Sequence, residues 1–139
     1  MSTLDLGITA KARPDWDEYF LGVAQAVAAR ADCRKRQFGA VIVKDRRIMS
    51  TGYNGSPPGG KSCLAGECPR AFATDDERHY ENCIALHAEQ NAIAWCGRHD
   101  SLGATLYLNE PRWPCDMCSK LIKAAGILWV VTPEGKRQA

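Results

Sequence analysis

Residues 104–131, ATLYLNEPRWPCDMCSKLIKAAGILWVV, decide the fold of this chain. Apolar runs at residues 104–108 and 127–131 have the composition of buried strands, and residues 115–125 between them have the spacing of a helix. A proline before this helix and a glycine after it mark its two ends. The order strand, helix, strand predicts a crossover between two strands of one sheet.

The preceding sequence supplies the other elements. Asp15 and Glu18 form a predicted capping box, and apolar residues at helical spacing follow it. These are expected to be core residues: Trp16, Tyr19, Phe20, Val23, Ala24 and Val27. Residues 39–43 and 48–53 predict an antiparallel hairpin, and the alanine-rich residues 87–96 predict another helix. We therefore expect an α/β fold with a mixed sheet and helices on its faces.

Composition narrows the class of protein. The chain has 139 residues, 45% hydrophobic and 24% charged, which suits one domain over residues 1–139. The net charge of +2 makes no case for a nucleic-acid or membrane surface, so a small-molecule substrate is expected. The sequence shows neither an apolar run of membrane-spanning length nor a signal peptide, which predicts a cytoplasmic protein. Its seven cysteines are then expected to be reduced thiols and metal ligands.

Four residues predict a metal centre with one open position. An imidazole from His87 and thiolates from Cys115 and Cys118 fill three corners of a tetrahedron around zinc. The fourth corner is left for a water whose pKa the metal lowers to about 7. Glu89, two residues after His87, is not a ligand and can move the proton of that water. Each ligand segment opens a predicted helix, and the positive helix ends favour thiolate over thiol.

The order H-x-E followed by P-C-x-x-C is the signature of zinc-dependent nucleobase deaminases. Four longer stretches resemble deoxycytidylate (dCMP) deaminases, so that the similarity runs from about residue 15 to residue 131. They are CRKRQFGAVIV at 33–43, TGYNGSPPG at 51–59, HAEQNAI at 87–93 and GATLY at 103–107. The resemblance implies a three-layer α/β/α cytidine deaminase-like fold and hydrolysis of dCMP to dUMP with release of ammonia. It also implies a homo-oligomer, usually a hexamer, regulated by dCTP and dTTP, with Mg²⁺ accompanying such a triphosphate.

Five residues are predicted to contact the substrate. The glycine- and proline-rich loop lets backbone approach a ligand closely, and its Asn54 and Ser56 can bond a sugar hydroxyl or a phosphate. By resemblance, Asn54 lies in the substrate pocket. Arg36 is our choice for the monophosphate, through charge-assisted hydrogen bonds. Ala88, beside a metal ligand, and Trp113 complete the set. Trp113 either stacks on the pyrimidine or caps the core.

A second, structural zinc is implied by the same resemblance. Its predicted ligands are Cys33, Cys63, His79 and Cys83, with Cys68 left in doubt. His79 and Cys83 are four residues apart, which puts both on one face if they lie on a helix. The alternative is that these are buried or unpaired thiols without a metal.

The expected mechanism is general acid–base catalysis by Glu89 on a metal-activated water. Glu89 would take a proton from the water and deliver protons to N3 and to the leaving amine of the cytosine. Two other classes stay open. One is a deaminase of another cytosine nucleotide or of a base in tRNA, and the low net charge disfavours the tRNA alternative. The other is a non-enzymatic zinc-stabilised interaction module, in which the Glu89 carboxylate would have no use.

Overall fold

The computed structural model describes residues 12–72 and 83–139. Its helices and strands, in chain order, are α1 (Trp16–Ala28), β1 (Gly39–Lys44), β2 (Arg47–Tyr53), α2 (Ala88–Ala94), α3 (Arg98–Ser101), β3 (Thr105–Leu108), α4 (Asp116–Ala124), β4 (Trp129–Thr132) and β5 (Gly135–Gln138). Within these two ranges, no helix is both long and apolar enough to cross a bilayer.

The five strands form one mixed sheet in the order β2-β1-β3-β4-β5. Strand β1 is antiparallel to both β2 and β3, so the predicted hairpin is confirmed. Strands β3 and β4 are parallel and joined through α4, which confirms the predicted crossover. Strand β5 was not predicted. It follows a turn at Pro133 and Glu134 and pairs antiparallel with β4, leaving the polar edge strand exposed.

Helices cover both faces of the sheet, which gives three layers. On one face α1 packs against residues that point the same way from three strands, namely Val41, Val43, Tyr107 and Val131. On the other face α2 and α4 contribute to a larger apolar cluster, which includes Ile42, Leu106, Leu108 and Val130 from the sheet and Ile122 from α4. The predicted α/β/α arrangement is therefore confirmed, with the sheet as its middle layer.

Helix α1 begins as the sequence predicts but buries less than expected. The Glu18 N–H donates to Asp15 Oδ1 at 2.8 Å, and the Asp15 N–H donates to Glu18 Oε1 at 3.2 Å, which completes the capping box. Trp16 and Tyr19 are 46% and 48% exposed, so their assignment to the core is wrong. They lie on the first turn, where helical spacing alone does not tell the core face from the edge of the stripe.

Two glycines let helices lie directly on the sheet. A Cβ added at Gly39 would overlap the backbone of α1 at Ala24, and one added at Gly52 would overlap the backbone of α2 at Ala92. Close approach of backbone to backbone is a common reason for glycine within a strand. The contact at Gly52 fixes the height of α2 above β2, and α2 carries residues of the candidate active site.

Candidate active site

The structure brings the three predicted metal ligands together. His87, Cys115 and Cys118 each offer one ligand atom, and these atoms lie within 4.8 Å of one another. The Nδ1 atom of His87 is 3.2 Å from Cys118 Sγ and 3.7 Å from Cys115 Sγ. The nitrogen that faces the thiols is therefore Nδ1.

These separations fit zinc. Bonds of about 2.3 Å to sulfur and about 2.0 Å to nitrogen, at a tetrahedral angle, set the nitrogen–sulfur separation at roughly 3.5 Å. The two measured distances, 3.2 Å and 3.7 Å, lie on either side of that value. One imidazole and two thiols form a donor set that suits Zn²⁺. Among the described residues, no fourth protein ligand joins the group, which leaves a coordination position for a small ligand.

Two helix N-termini position the ligands. His87 is the N-cap of α2, and its N–H donates to Gln90 Oε1 at 2.7 Å. Cys115 is the N-cap of α4, and Cys118 lies in the first turn of that helix. The predicted helices, 87–96 and 115–125, were thus too long, because the first ligand of each segment caps its helix from outside. Gly97 then starts the separate short helix α3.

Electrostatics at the thiols also favour a cation. Burial raises the pKa of the Cys118 thiol well above its usual range, and the neighbouring Glu89 and Cys115 raise it further. Ionised thiols and a carboxylate gathered this closely repel each other. A divalent cation between them would reverse that balance and stabilise the thiolates.

Glu89 is the buried acid of the site. It lies in the first turn of α2, its side chain is 4% exposed, and its charge helps to raise the pKa of the neighbouring Cys118 thiol. It is not a member of the ligand group. A buried carboxylate beside a metal with an open position is suited to proton transfer at that position.

The glycine- and proline-rich loop is joined to the metal centre through backbone hydrogen bonds. Gly55 and Leu86 exchange two bonds, of 3.1 Å and 2.9 Å, and Leu86 immediately precedes the ligand His87. The Asn91 side chain of α2 donates to the carbonyl oxygen of Tyr53 at 2.8 Å. The loop that was predicted to meet the substrate therefore lies beside the metal ligands.

Within that loop the predicted contacts already have partners in the protein. Asn54 is 8% exposed, and its Oδ1 accepts from the Phe38 N–H at 2.8 Å while its Nδ2 donates to the Arg36 carbonyl at 2.9 Å. Ser56 donates its hydroxyl proton to the Lys61 carbonyl at 2.6 Å. Asn54 keeps one N–H donor and one acceptor lone pair, and Ser56 keeps its acceptor lone pairs, so a ligand would share these side chains with the loop.

Ala88 and Trp113 pack in or against the core. The Ala88 side chain is buried in the cluster under α2, so only its backbone remains to meet a ligand. Trp113 packs against the same cluster, and the Arg137 guanidinium lies 4.9 Å from its ring centroid. Of the two roles left open for Trp113, this placement favours capping the core.

Four other cysteines gather at a second place. Cys63 and Cys68 are buried together, and Cys33 and Cys83 pack against them. Cys68 Sγ and Cys83 Sγ are 3.8 Å apart. Burial raises the pKa of the Cys63 thiol to about 11, against a hydrogen bond from the Arg34 N–H that lowers it. Cys68, doubtful from sequence, is thus a full member of this thiol cluster, whereas His79 lies outside the described residues.

Two groups at the end of β3 were not predicted from sequence. The Asn109 side chain accepts from the Gly39 N–H at 2.7 Å, and the buried Glu110 pairs with Arg112 at 3.1 Å. The sequence contained one signal for them, because both are polar residues that directly follow a buried strand and precede the ligand Cys115. The partner of Asn109 could not be predicted, because Gly39 is 70 residues away in the chain.

Comparison with known proteins agrees with this geometry. A family model described as the cytidine and deoxycytidylate deaminase zinc-binding region matches residues 14–133. The deoxycytidylate deaminase of Mycobacterium phage D29 is 50% identical over 129 residues, covering 88% of this chain and 98% of that protein. The deoxycytidylate deaminase of Saccharomyces cerevisiae is 43% identical, and the match covers 90% of this chain but only 39% of the yeast protein.

A solved structure shares the architecture. The dCMP deaminase of cyanophage S-TIM5, in complex with dCMP and dUMP, matches with a TM-score of 0.62 and 28% identity. The match covers 88% of this chain and 83% of that one. The expected cytidine deaminase-like fold is thereby confirmed. Since the family model spans most of the sequence and the described part contains its zinc-binding geometry, the chain belongs to the family of cytidine and deoxycytidylate deaminases.

Proposed function

We propose that the protein catalyses the zinc-dependent hydrolytic deamination of dCMP to dUMP with release of ammonia. The observation that carries this proposal is a three-ligand metal centre with the buried, non-ligating Glu89 beside it. The substrate follows from the relatives, which are named deoxycytidylate deaminases, and from the cyanophage enzyme, whose structure holds dCMP and dUMP.

His87, Cys115 and Cys118 would hold the zinc, which when bound supplies Lewis acidity that makes water a nucleophile near neutral pH. Glu89 accepts a proton from the attacking water and delivers it to N3 of the cytosine. A bond forms between the water oxygen and C4, the bond from C4 to the amino nitrogen breaks, and Glu89 passes the second water proton to that nitrogen. Ammonia leaves, and the base becomes uracil.

Substrate contacts are proposed at the loop and at the start of β1. Asn54 and Ser56 would use their remaining hydrogen-bonding capacity for the sugar, and Arg36 would meet the phosphate. The backbone of Ala88 would lie against the base. Trp113 is proposed to act on the pocket only through the packing of the segment that precedes Cys115, given its contacts with the core and Arg137.

The thiol cluster is proposed to hold a structural zinc. Zinc bonds of about 2.3 Å set tetrahedral sulfur–sulfur separations at roughly 3.8 Å, which one pair of the cluster, Cys68 and Cys83, matches at 3.8 Å. Among the described residues the four thiols do not form a closed ligand group like that of His87, so a bound zinc would draw them together. Backbone N–H groups donate to the cluster sulfurs, among them Lys35 N to Cys33 Sγ at 3.4 Å, an arrangement that favours thiolates. Cys33, Cys63 and Cys83 are the proposed ligands, and the contact of Cys68 with Cys83 supports Cys68 as the fourth, in place of the His79 that the resemblance implies.

Assembly, regulation and location stay predictions. A homo-oligomer, a hexamer by resemblance, is testable by light scattering. Regulation by dCTP and dTTP with Mg²⁺ is testable by their effect on the dependence of rate on dCMP concentration. One domain over residues 1–139 and a cytoplasmic location are proposed as well, and the latter agrees with seven free thiols.

A panel of substrates tests the proposed function. Zinc-loaded protein would be offered dCMP, CMP, deoxycytidine and dCTP separately, and loss of the amino group would be followed by mass. We expect turnover of dCMP, with the other three slower by at least tenfold. Fast turnover of CMP or deoxycytidine instead would give the protein a different cytosine substrate. Absence of turnover with all four, in protein shown to contain zinc, would contradict the proposal.

A further inference from the structure

A short segment before β1 is held by side chains from two other strand ends. Asn54 follows β2, and its amide bonds the Phe38 N–H and the Arg36 carbonyl at 2.8 Å and 2.9 Å. Asn109 follows β3, and its Oδ1 accepts from the Gly39 N–H at 2.7 Å. Residues 36–39 are therefore hydrogen-bonded to the residue that follows β2 on one side and to the residue that follows β3 on the other.

Backbone hydrogen bonds also hold this segment in place. The Asn54 N–H donates to the Phe38 carbonyl at 3.3 Å, and the Asn109 N–H donates to the Gly39 carbonyl at 3.1 Å. The N–H groups of Phe38 and Gly39 donate within the protein, so neither is left to donate to an anion. The positive charge that the segment can offer an anion is on the Arg36 side chain.

The segment lies at the end of the strands beside which the candidate active site lies. Strand β1 is antiparallel to β2 and β3, so residues before β1 adjoin residues after the other two strands. The residues after β2 bond Leu86, next to the ligand His87. The residues after β3 lead into Cys115. The backbone of Arg36 therefore lies near the segments that lead to His87 and to Cys115.

Arg36 has the character of an anion-binding residue. It is half-buried. Among residues 12–72 and 83–139, no carboxylate pairs with its guanidinium. An arginine on a fixed backbone loses less freedom when it binds a phosphate, and its planar fork matches phosphate oxygens. Fixing the backbone on which it stands is what the two asparagines do.

We propose that Asn109 is a positioning residue for phosphate recognition, which together with Asn54 fixes residues 36–39 and presents Arg36 to the 5′-phosphate of the nucleotide. This inference rests on the proposed function, because it concerns the phosphate of the same substrate. Asn109 contributes through the Gly39 N–H bond and has no contact with the substrate. Its loss should therefore weaken phosphate recognition and leave recognition of the nucleoside intact.

The test compares binding of dUMP and deoxyuridine to zinc-loaded Asn109→Ala by calorimetry. We expect affinity for dUMP to fall about tenfold, the equivalent of about one hydrogen bond, and affinity for deoxyuridine to change less than about twofold. Arg36→Gln alone should also lower the affinity for dUMP. The double variant, Arg36→Gln with Asn109→Ala, should bind dUMP no more weakly than Arg36→Gln, since the two changes act on one contact.

Gln25→Ala is the matched control. Gln25 is exposed and accepts from Asn109 Nδ2 at 3.2 Å, so this variant removes a partner of Asn109 without touching Gly39. It should bind dUMP like the parent protein. Equal losses for dUMP and deoxyuridine in Asn109→Ala, or full additivity with Arg36→Gln, would overturn the inference. Parent protein that binds neither compound would instead contradict the proposed function.

Discussion

His87 Nδ1 and Cys118 Sγ lie 3.2 Å apart, although 31 residues separate them in the chain. Two helices, α2 and α4, bring the atoms together because each helix begins at a ligand. The ligand geometry is therefore a property of how the helices lie on the sheet. Changes that shift either helix should affect the metal centre even when they leave its residues intact.

Gly52→Ala should damage the site from a distance. The added Cβ would overlap the α2 backbone at Ala88 and Ala92, and neither backbone can move without moving His87 and Glu89. We expect a loss of about 2–3 kcal/mol in the free energy of unfolding and at least tenfold lower turnover, measured by denaturant unfolding and by dCMP assay. Gly22→Ala is the control. Its Cβ meets nothing within 4 Å in α1, so stability should rise by up to about 1 kcal/mol. Equal behaviour of the two variants would contradict the close contact between β2 and α2.

The thiol cluster predicts two zinc ions per chain. Cys68→Ser should lower the zinc content from about two to about one per chain and lower the melting temperature, because a structural metal contributes directly to folding. The remaining zinc should still support turnover of dCMP. Cys96→Ser, outside both groups of thiols, should change neither zinc content nor stability by much. Zinc content of one per chain in the parent protein would show that the cluster holds no metal.

Alkaline pH should weaken the contact between α1 and β3. Tyr107 donates its hydroxyl proton to Asp17 Oδ1 at 2.7 Å, and burial, followed by the bond and charge of Asp17, raises its pKa well above the usual value. A raised pKa means that the stabilisation is present below the unfolded value of about 10 and is lost as pH rises from there toward the folded pKa. Tyr107→Phe should cost about 1 kcal/mol at neutral pH and flatten the decline above pH 10, as judged by unfolding curves at several pH values. A decline of unchanged steepness in the variant would assign it to other groups.

Sequence patterns predicted the parts of the fold in which local and tertiary preferences agree. Residues 104–108 and 127–131 are almost wholly apolar, so their composition was enough to identify the strands within them. Strand β5 was not predicted, because its residues, Gly135–Gln138, are exposed at the edge of the sheet and show no alternation of apolar and polar side chains. The exposure of Trp16 likewise depends on how α1 lies on the sheet, which helical periodicity does not determine.

The candidate site divides in the same way. Ligand spacing within P-C-x-x-C follows from helix geometry, so Cys115 and Cys118 could be paired from sequence alone. The place of Cys68 beside Cys83, and of Asn109 beside Gly39, depends on contacts between distant segments. A local sequence pattern does not predict those contacts. They form because the strand order brings the loops together at one end of the strands.

The central claim is that Glu89 is the proton-transfer group of a zinc-dependent dCMP deaminase. The most direct measurement determines zinc content and single-turnover conversion of dCMP in Glu89→Gln beside the parent protein. Glutamine keeps the size of the side chain but cannot carry the proton. We predict parental zinc content with conversion slower by at least about a thousandfold. Parental zinc content with conversion near the parental rate would contradict the role of Glu89 and, with it, the proposed mechanism.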